Sequence, residues 1–319
     1  MSIEKVDTRE FVFAQKYRPT KIKDIILPAA TKNMIRGMLD KGETTHMVFV
    51  GGPGMGKTTA ALAIANELEA DVMVINAALE NGIDVLRTKI QSFASTMSLS
   101  DSDAPKIVVL DEADGLTPAI QGGLKAFLEQ FSANCRFILT ANIKHKIIDP
   151  ILSRCTVVDF RIDGTEKAKV AAQFYRRVTQ ILDTENVTYD AKVVAKLVER
   201  NFPDFRKTLN ELQRWSSGGS LDSEVLADHS GDSLRELIGY LKEANFTAAR
   251  KWVGQNEDID SAHLFRGIYD TAITQMQPKS LPALVLTLAD YGYKSAFCVD
   301  QQVNTMACLV EIMSNCEWN

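Results

Sequence analysis

The run Gly51-Gly52-Pro53-Gly54-Met55-Gly56-Lys57-Thr58 fits G-x-x-x-x-G-K-[ST] at every fixed position. Glycines let a backbone curl until its N–H groups point inward, and a helix N-terminus adds partial positive charge at the same place. Such a loop cradles the phosphates of a nucleoside triphosphate. Within it Lys57 is expected to bridge the β- and γ-phosphates, and the Thr58 hydroxyl to ligate Mg²⁺. Gly54, Gly56 and the flanking Met55 and Thr59 complete the candidate phosphate-binding set. A second pair, Asp111-Glu112, closes the apolar run Ile107-Val108-Val109-Leu110. Hard oxygen ligands at the carboxyl end of a buried strand suit a metal held through water, the role expected of Asp111. Glu112 is then the candidate for polarising an attacking water. Thr140-Ala141-Asn142 ends the next apolar run, where the Asn142 amide is placed to hydrogen-bond the γ-phosphate or that water.

Positioning these groups requires strands that end together. His46–Val50 reads as a strand, Thr58–Leu68 as an Ala-rich helix and Asp71–Asn76 as a second strand, the start of a parallel α/β sheet. Lys106–Leu110, Arg136–Ala141 and Thr156–Phe160 read as further strands. Their unbroken apolar texture is that of parallel strands buried on both faces. Helical patterns lie between them, over 83–97 and 117–130. After Arg161 the texture changes to amphipathic helices over 165–182, 190–200 and 204–216, with no strand candidate among them. Asp204 suits the N-cap of the last of these, Phe205, Leu209 and Leu212 supply its apolar face, and Arg206 points the other way. Glycine-serine breaks at 216–220 and 230–233 precede a last helical stretch, with helices expected from Leu234 and over 261–276, 280–291 and 295–315.

Composition narrows the field. The 319 residues are 45% hydrophobic and 24% charged, which excludes a disordered chain, a collagen-like fibre and a small disulfide scaffold. No apolar run approaches the length that crosses a bilayer, and the first residues lack the apolar segment of a secretory signal. Five cysteines without a C-x-x-C pair fit reduced thiols in a cytosol-like compartment. A net charge of −5 lacks the basic balance of a stand-alone nucleic-acid binder, so any DNA contact must use local patches, helix N-termini or an assembly. Asp111-Glu112-Ala113-Asp114 spells the signature of the DEAD-box helicases. Those enzymes carry a second α/β domain and Ser-Ala-Thr on the next strand; here the remainder is helical and the triplet is Thr-Ala-Asn.

Taken in order, Lys16-Tyr17-Arg18-Pro19, Gly51–Thr58, Asn76-Ala77 before Gly82–Arg87, Asp111-Glu112, Thr140–Asn142, Ser153-Arg154-Cys155 and Asn201–Leu209 form one pattern. It resembles the AAA+ clamp-loader ATPases, the replication factor C family, and the short length and the Asn201–Leu209 run bring it nearest the family's bacteriophage branch. The resemblance implies a P-loop NTPase core with a parallel sheet over 1–162, a small helical lid over 163–230 and a helical collar for oligomerisation over 231–319. It implies ATP and Mg²⁺ as ligands, with Ala14, Gln15, Lys16, Tyr17 and Ile26 lining the adenine pocket. Arg206 is implied to sense the γ-phosphate of its own nucleotide, and Arg154 to reach the nucleotide of a neighbour. Asn76 sits where the family places an amide that restrains the glutamate until DNA binds. Asn81-Gly82 depart from a basic residue the family often carries there. DNA would be tracked by the helices starting near Ile83, with Arg87, and at Thr117-Pro118, with Gln121 and Lys125. The implied partners are further copies of the chain, a distinct small subunit in a ring or spiral of five, a sliding clamp and primer–template DNA, in the host cytoplasm. A non-hydrolysing structural subunit and another AAA+ motor, such as a helicase loader, are the alternatives.

Overall fold

Side chains along a strand alternate between its two faces, so a strand covered on both must be apolar at every position. In β1 (Met47–Val50), Met47 and Phe49 enter one core while Val48 and Val50 enter another. In β3 (Lys106–Asp111), Ile107 and Val109 join the first core, and Val108 and Leu110 the second. With β2 (Asp71–Asn76), β4 (Cys135–Ala141) and β5 (Thr156–Asp159) they form an all-parallel sheet in the order β2-β3-β4-β1-β5. The computed structural model describes residues 11–40, 45–79, 82–95, 105–216, 220–221, 230–256, 260–273 and 275–318.

The short α1 (Phe13–Lys16) and α2 (Ala29–Leu39) precede the sheet. α2 and α3 (Lys57–Glu67) cover one face of it. Ala60, Ala61, Ala63 and Ala65 of α3 are all buried, and their small side chains let this helix lie close against the strands. The other face is covered by α4 (Ile83–Ser95) and α5 (Pro118–Gln130), through Leu86, Ile90, Leu124 and Phe127. α6 (Asp149–Leu152) precedes β5. The edge strand departs from expectation. Val72 and Val74 of β2 are exposed, and neither joins the core beneath α2 and α3.

Three helices follow: α7 (Gly164–Thr184), α8 (Ala191–Asn201) and α9 (Phe205–Ser216). Thr188–Tyr189 (β6) pairs in parallel with Ser220–Leu221 (β7), a two-residue ladder where the sequence shows no strand. Two residues are too few for a period to register. Contacts divide the chain into compact units at Met1–Val225 and Leu226–Asn319. The second unit comprises α10 (Ser230–Lys242), α11 (Phe246–Gln255), α12 (Ser261–Ala272), α13 (Leu281–Ser295) and α14 (Gln301–Asn315) around Leu241, Trp252, Ile268, Leu284 and Leu309. α2 and α11 are not among the helices expected from the sequence; the latter is opened by the Asn245 side chain, which accepts from the Ala248 N–H. The cysteines are free thiols. Burial pushes the Cys155 and Cys308 thiols up to about 12, which leaves them inert near neutral pH.

Gln121, expected among the DNA-tracking residues, is turned into the protein instead. Its side chain is buried, donating to the carbonyls of Leu116 (3.0 Å) and Lys146 (2.8 Å) and accepting from the Ile148 N–H (2.9 Å). It fastens α5 to the β4–α6 connection and offers no atom to DNA. Gln121→Leu keeps the volume but strands two carbonyls and an amide, and is expected to cost about 2–4 kcal/mol in urea unfolding.

Candidate functional site

Three strands of the sheet end at one place. β1 runs into the glycine loop, β3 ends in Asp111, and β4, which lies between them, ends with Thr140 and Ala141 before Asn142. This is the carboxyl edge where open α/β sheets hold ligands. The loop turns on Gly54 (φ +68°) and Gly56 (φ +86°), left-handed conformations that suit glycine, and α3 starts at the next residue. Lys57, the first residue of α3, is buried. Its Nζ donates to the carbonyls of Gly51 (2.8 Å) and Gly52 (2.7 Å) and to Asn142 Oδ1 (2.8 Å). Burial pushes the ammonium's pKa down, and the charges of Asp111 and Asp114 partly offset this.

Asp111 Oδ1 accepts two short hydrogen bonds, from Thr58 Oγ1 and from Thr140 Oγ1, both 2.6 Å. The Thr140 hydroxyl in turn accepts from the Glu112 N–H at 3.0 Å. That bond holds Glu112 at φ +57°, a left-handed conformation uncommon for a residue with a side chain. The bend leaves the Glu112 side chain exposed at the edge of the site. Asp114 Oδ2 accepts from the N–H groups of Asn142 and Ile143, and so ties the β4 tip to the turn after β3.

A second pocket adjoins the loop. Ala14, Gln15, Tyr17 and Ile26 line it with Gly54, Met55, Gly56 and Thr59 from the core, and Phe174, Ile181, Arg206 and Leu209 from α7 and α9. Lys16, expected in the same wall, does not line it: its Nζ pairs with Glu185 at 2.6 Å. The Tyr17 hydroxyl donates to the same carboxylate, and burial together with this carboxylate pushes the phenol's pKa up. The Phe13 N–H donates to Gln213 Oε1 of α9 at 2.9 Å, so the N-terminal segment is fastened both to Glu185, which caps the end of α7, and to α9. Asp204 caps α9 by accepting from the Lys207 N–H at 2.8 Å. Its carboxylate rests on the glycine loop: a Cβ on Gly54 would lie 1.8 Å from Asp204 Oδ1.

The other expected residues lie apart. Arg154 is exposed, pairs with Glu129 at 2.6 Å and donates to the Pro150 carbonyl at 2.8 Å. The Asn76 side-chain oxygen accepts from the Ala78 N–H at 2.9 Å, and among the described residues no hydrogen bond joins Asn76 to Glu112. Arg87 is exposed, its guanidinium 5.5 Å from the Phe127 ring centroid, and Lys125 is half-buried. Asn81 lies outside the described residues. Two residues beside the site were passed over. Thr140 stands two places before Asn142, so alternation already turns both toward one side. Arg18 follows Tyr17 and, from the same motif, donates to Thr59 Oγ1 at 3.0 Å.

A glycine loop between β1 and α3, with an acidic strand end beside it on a 5-stranded parallel sheet, defines a P-loop ATPase of the AAA class. The model of the ATPase family associated with various cellular activities matches residues 47–162. The model of the sliding-clamp-loader large subunit's AAA+ ATPase lid domain matches 166–227. The sliding-clamp-loader large subunit of Enterobacteria phage T4 is 40% identical over 98% of this chain and 99% of its own length. That of Escherichia phage RB69 is 38% identical over 77% of this chain and 78% of its own. The replication factor C small subunit of Thermofilum pendens is 31% identical over 95% and 96%. Among solved structures, the RuvB Holliday junction branch migration motor of Thermotoga maritima shares the fold at a TM-score of 0.54 and 14% identity, over 82% of this chain and 93% of that one. The chain belongs to the AAA ATPase family and, within it, to the sliding-clamp-loader large subunits.

Thr140→Val keeps the shape of β4 but removes the hydroxyl that joins Asp111 to the Glu112 backbone. It is expected to lower stability by about 1–3 kcal/mol through the unpaired Glu112 amide and the loss of one of the two hydrogen bonds to Asp111. ATP turnover should fall by about tenfold or more, one decade for each 1.4 kcal/mol of lost positioning. Chemical denaturation and a phosphate-release assay measure the two effects.

Proposed function

We propose that this chain is the ATP-hydrolysing subunit of an assembly that opens a sliding clamp and loads it onto primer–template DNA, with hydrolysis releasing the loader. The observation that carries the reading is the convergence of Lys57, Thr58, Asp111, Thr140 and Asn142 on one strand edge, in a chain whose relatives are named sliding-clamp loaders. The assembly is a ring or spiral of five, containing further copies of the chain and a distinct small subunit. The chain divides into a core over 1–162, a lid over 163–230 and an oligomerising collar over 231–319, and it works in the host cytoplasm. Among the described residues no helix is long and apolar enough to cross a membrane.

The oxygens at the site suit Mg²⁺. A hydroxyl and one carboxylate meet at 2.6 Å, and the described residues hold no cluster of three metal-binding acids, His or Cys. Mg²⁺ is commonly held by one or two carboxylates plus substrate phosphates rather than by an all-protein cage. Thr58 and, through water, Asp111 would hold it, and it would supply charge neutralisation on the phosphates. Lys57 carries the cation that meets the β- and γ-phosphates, and the loop amides around Gly54–Gly56 bind the anionic chain. Asn142 orients the γ-phosphate or the water, and Glu112 draws a proton from that water. Tyr17, Ala14, Gln15 and Ile26 receive the adenine, and Arg206 reaches over the phosphates from the lid.

Arg154 acts across a subunit boundary. Its own-chain ion pair with Glu129 is exposed, and exposed pairs contribute about 0–1 kcal/mol, so a neighbour's phosphates outcompete it readily. DNA stimulates the ATPase through Arg87, Lys125 and the N-termini of α4 and α5, shared over several subunits.

Glu112→Gln is expected to bind ATP as the wild type does and to slow hydrolysis by about 10²–10⁴-fold. Steady-state turnover near the wild-type rate would remove Glu112 from the role. Assays with and without primer–template DNA and clamp distinguish a loader from a non-hydrolysing subunit or another motor. Arg154→Ala should bind ATP normally yet hydrolyse it about 10³–10⁵-fold more slowly. Mixing Arg154→Ala with Lys57→Ala chains should restore part of the activity, at interfaces that pair an intact nucleotide site with an intact Arg154. Mixed complexes that recover nothing would return Arg154 to its own subunit.

A further inference from the structure

Glu185 has no part in the reading above, yet it grips two residues of the segment that walls the pocket beside the glycine loop. It is half-buried at the end of α7, one helical turn after Ile181, which lines the same pocket. Its Oε1 accepts from Lys16 Nζ at 2.6 Å and from the Tyr17 hydroxyl. Of those two donors only Tyr17 lines the pocket. The Tyr17 ring meets the ring of buried Phe13 edge-on, with centroids 5.9 Å apart and planes at 83°. Phe13 is fixed in turn through its N–H on Gln213 of α9. One aromatic wall of the pocket is therefore held at its hydroxyl from α7 and at its ring from α1.

The chemistry of the contact suits positioning. Lys16 first, and Tyr17 after it, hold the Glu185 carboxyl below the usual carboxylate range, so near neutral pH it is an anion that only accepts. Burial and this carboxylate push the Tyr17 phenol up, so it keeps its proton and donates it. A donor and an acceptor locked in these states fix where the phenol oxygen sits, and with it the tilt of the ring. Flat bases bind by stacking on aromatic faces, and a ring held in advance costs less to order when the base arrives. We propose that Glu185 is a positioning residue for the adenine: acting from α7, it sets the Tyr17 ring as a preformed wall for the base. This rests on the reading that the pocket receives adenine, and adds to it a residue outside the pocket lining. The alternative is that Glu185 only ties α7 to the N-terminal segment.

Calorimetric titration of the full chain with ADP, ATP and tripolyphosphate, which has no base, separates the two. Glu185→Ala is expected to weaken ADP and ATP by the same factor, about 2–10-fold, the size of one side chain's ordering cost. Tripolyphosphate binding should not change. Tyr17→Phe, which keeps the ring and removes the donor, should give the same loss, and the double variant no more than either alone. Glu185→Gln keeps an acceptor for Tyr17 without the charge, and should recover most of the affinity. A tie that only steadies α7 would instead let α9 and Arg206 drift, so losses would grow from ADP to ATP and reach tripolyphosphate. That result, additive losses in the double variant, a glutamine variant as weak as the alanine one, or no loss in Glu185→Ala overturns the proposal. Should the alanine variant fail to fold, Tyr17→Phe against the three ligands carries the same comparison. Lys57→Ala run alongside tests the underlying reading: if it binds ATP like the wild type, the nucleotide site itself is misassigned. If it loses ATP while Glu185→Ala binds ADP and ATP like the wild type, only the role of Glu185 fails.

Discussion

One carboxylate oxygen holds the site together. Asp111 Oδ1 receives the hydroxyls of Thr58, from the first turn of α3, and Thr140, from the end of β4. Each bond is short and charge-assisted, a class roughly twice as strong as neutral hydrogen bonds. The glycine loop, the acidic strand end and the β4 tip therefore share a joint a few ångströms across, and the strand order makes it possible. Because β4 lies between β1 and β3, Thr140 near its end can touch the aspartate while Asn142, two residues on, touches Lys57. A sheet with β1 and β3 adjacent would leave no strand end in the middle to connect them.

The same joint explains the backbone at Glu112. A left-handed turn on a residue with a side chain costs on the order of 1–3 kcal/mol and persists only where its surroundings fix it. Thr140 supplies that fixing from the neighbouring strand by accepting the Glu112 N–H. The carboxylate is thereby turned out of the strand direction toward the edge of the site, while Asp111, one residue earlier, stays in line with the sheet. Two consecutive acids can take different tasks because the backbone bends between them.

What could be read in advance follows a physical division. The strands were legible from their apolar runs, the pattern that coverage on both faces imposes on β1, β3 and β4, and the glycine loop because its conformations restrict residue type at fixed spacing. That Lys57, Thr58 and Asp111 gather at one strand edge follows from those motifs. What could not be read was side-chain direction across space. Gln121, a polar residue on a helix near a strand edge, looks from sequence like a surface contact, and its burial depends on carbonyls 5 and 25 residues away. Lys16 sits in the expected segment, yet it turns to a carboxylate 169 positions on. Val72 and Val74 carry the texture of a buried strand, yet neither joins the core beneath α2 and α3. Two-residue strands such as β6 and β7 are shorter than any period.

The contact between Gly54 and Asp204 has a consequence for how such a chain can change. The lid's leading carboxylate rests on bare backbone, with no side chain beneath it to be replaced. Substitutions around α9 can alter how firmly that foot presses, but where it lands is fixed by the path of a loop already committed to glycine. Drift over generations is therefore free to adjust the grip of the closure and has almost no freedom to relocate it. Lineages that diverge widely elsewhere in the lid should still set it down on the same spot.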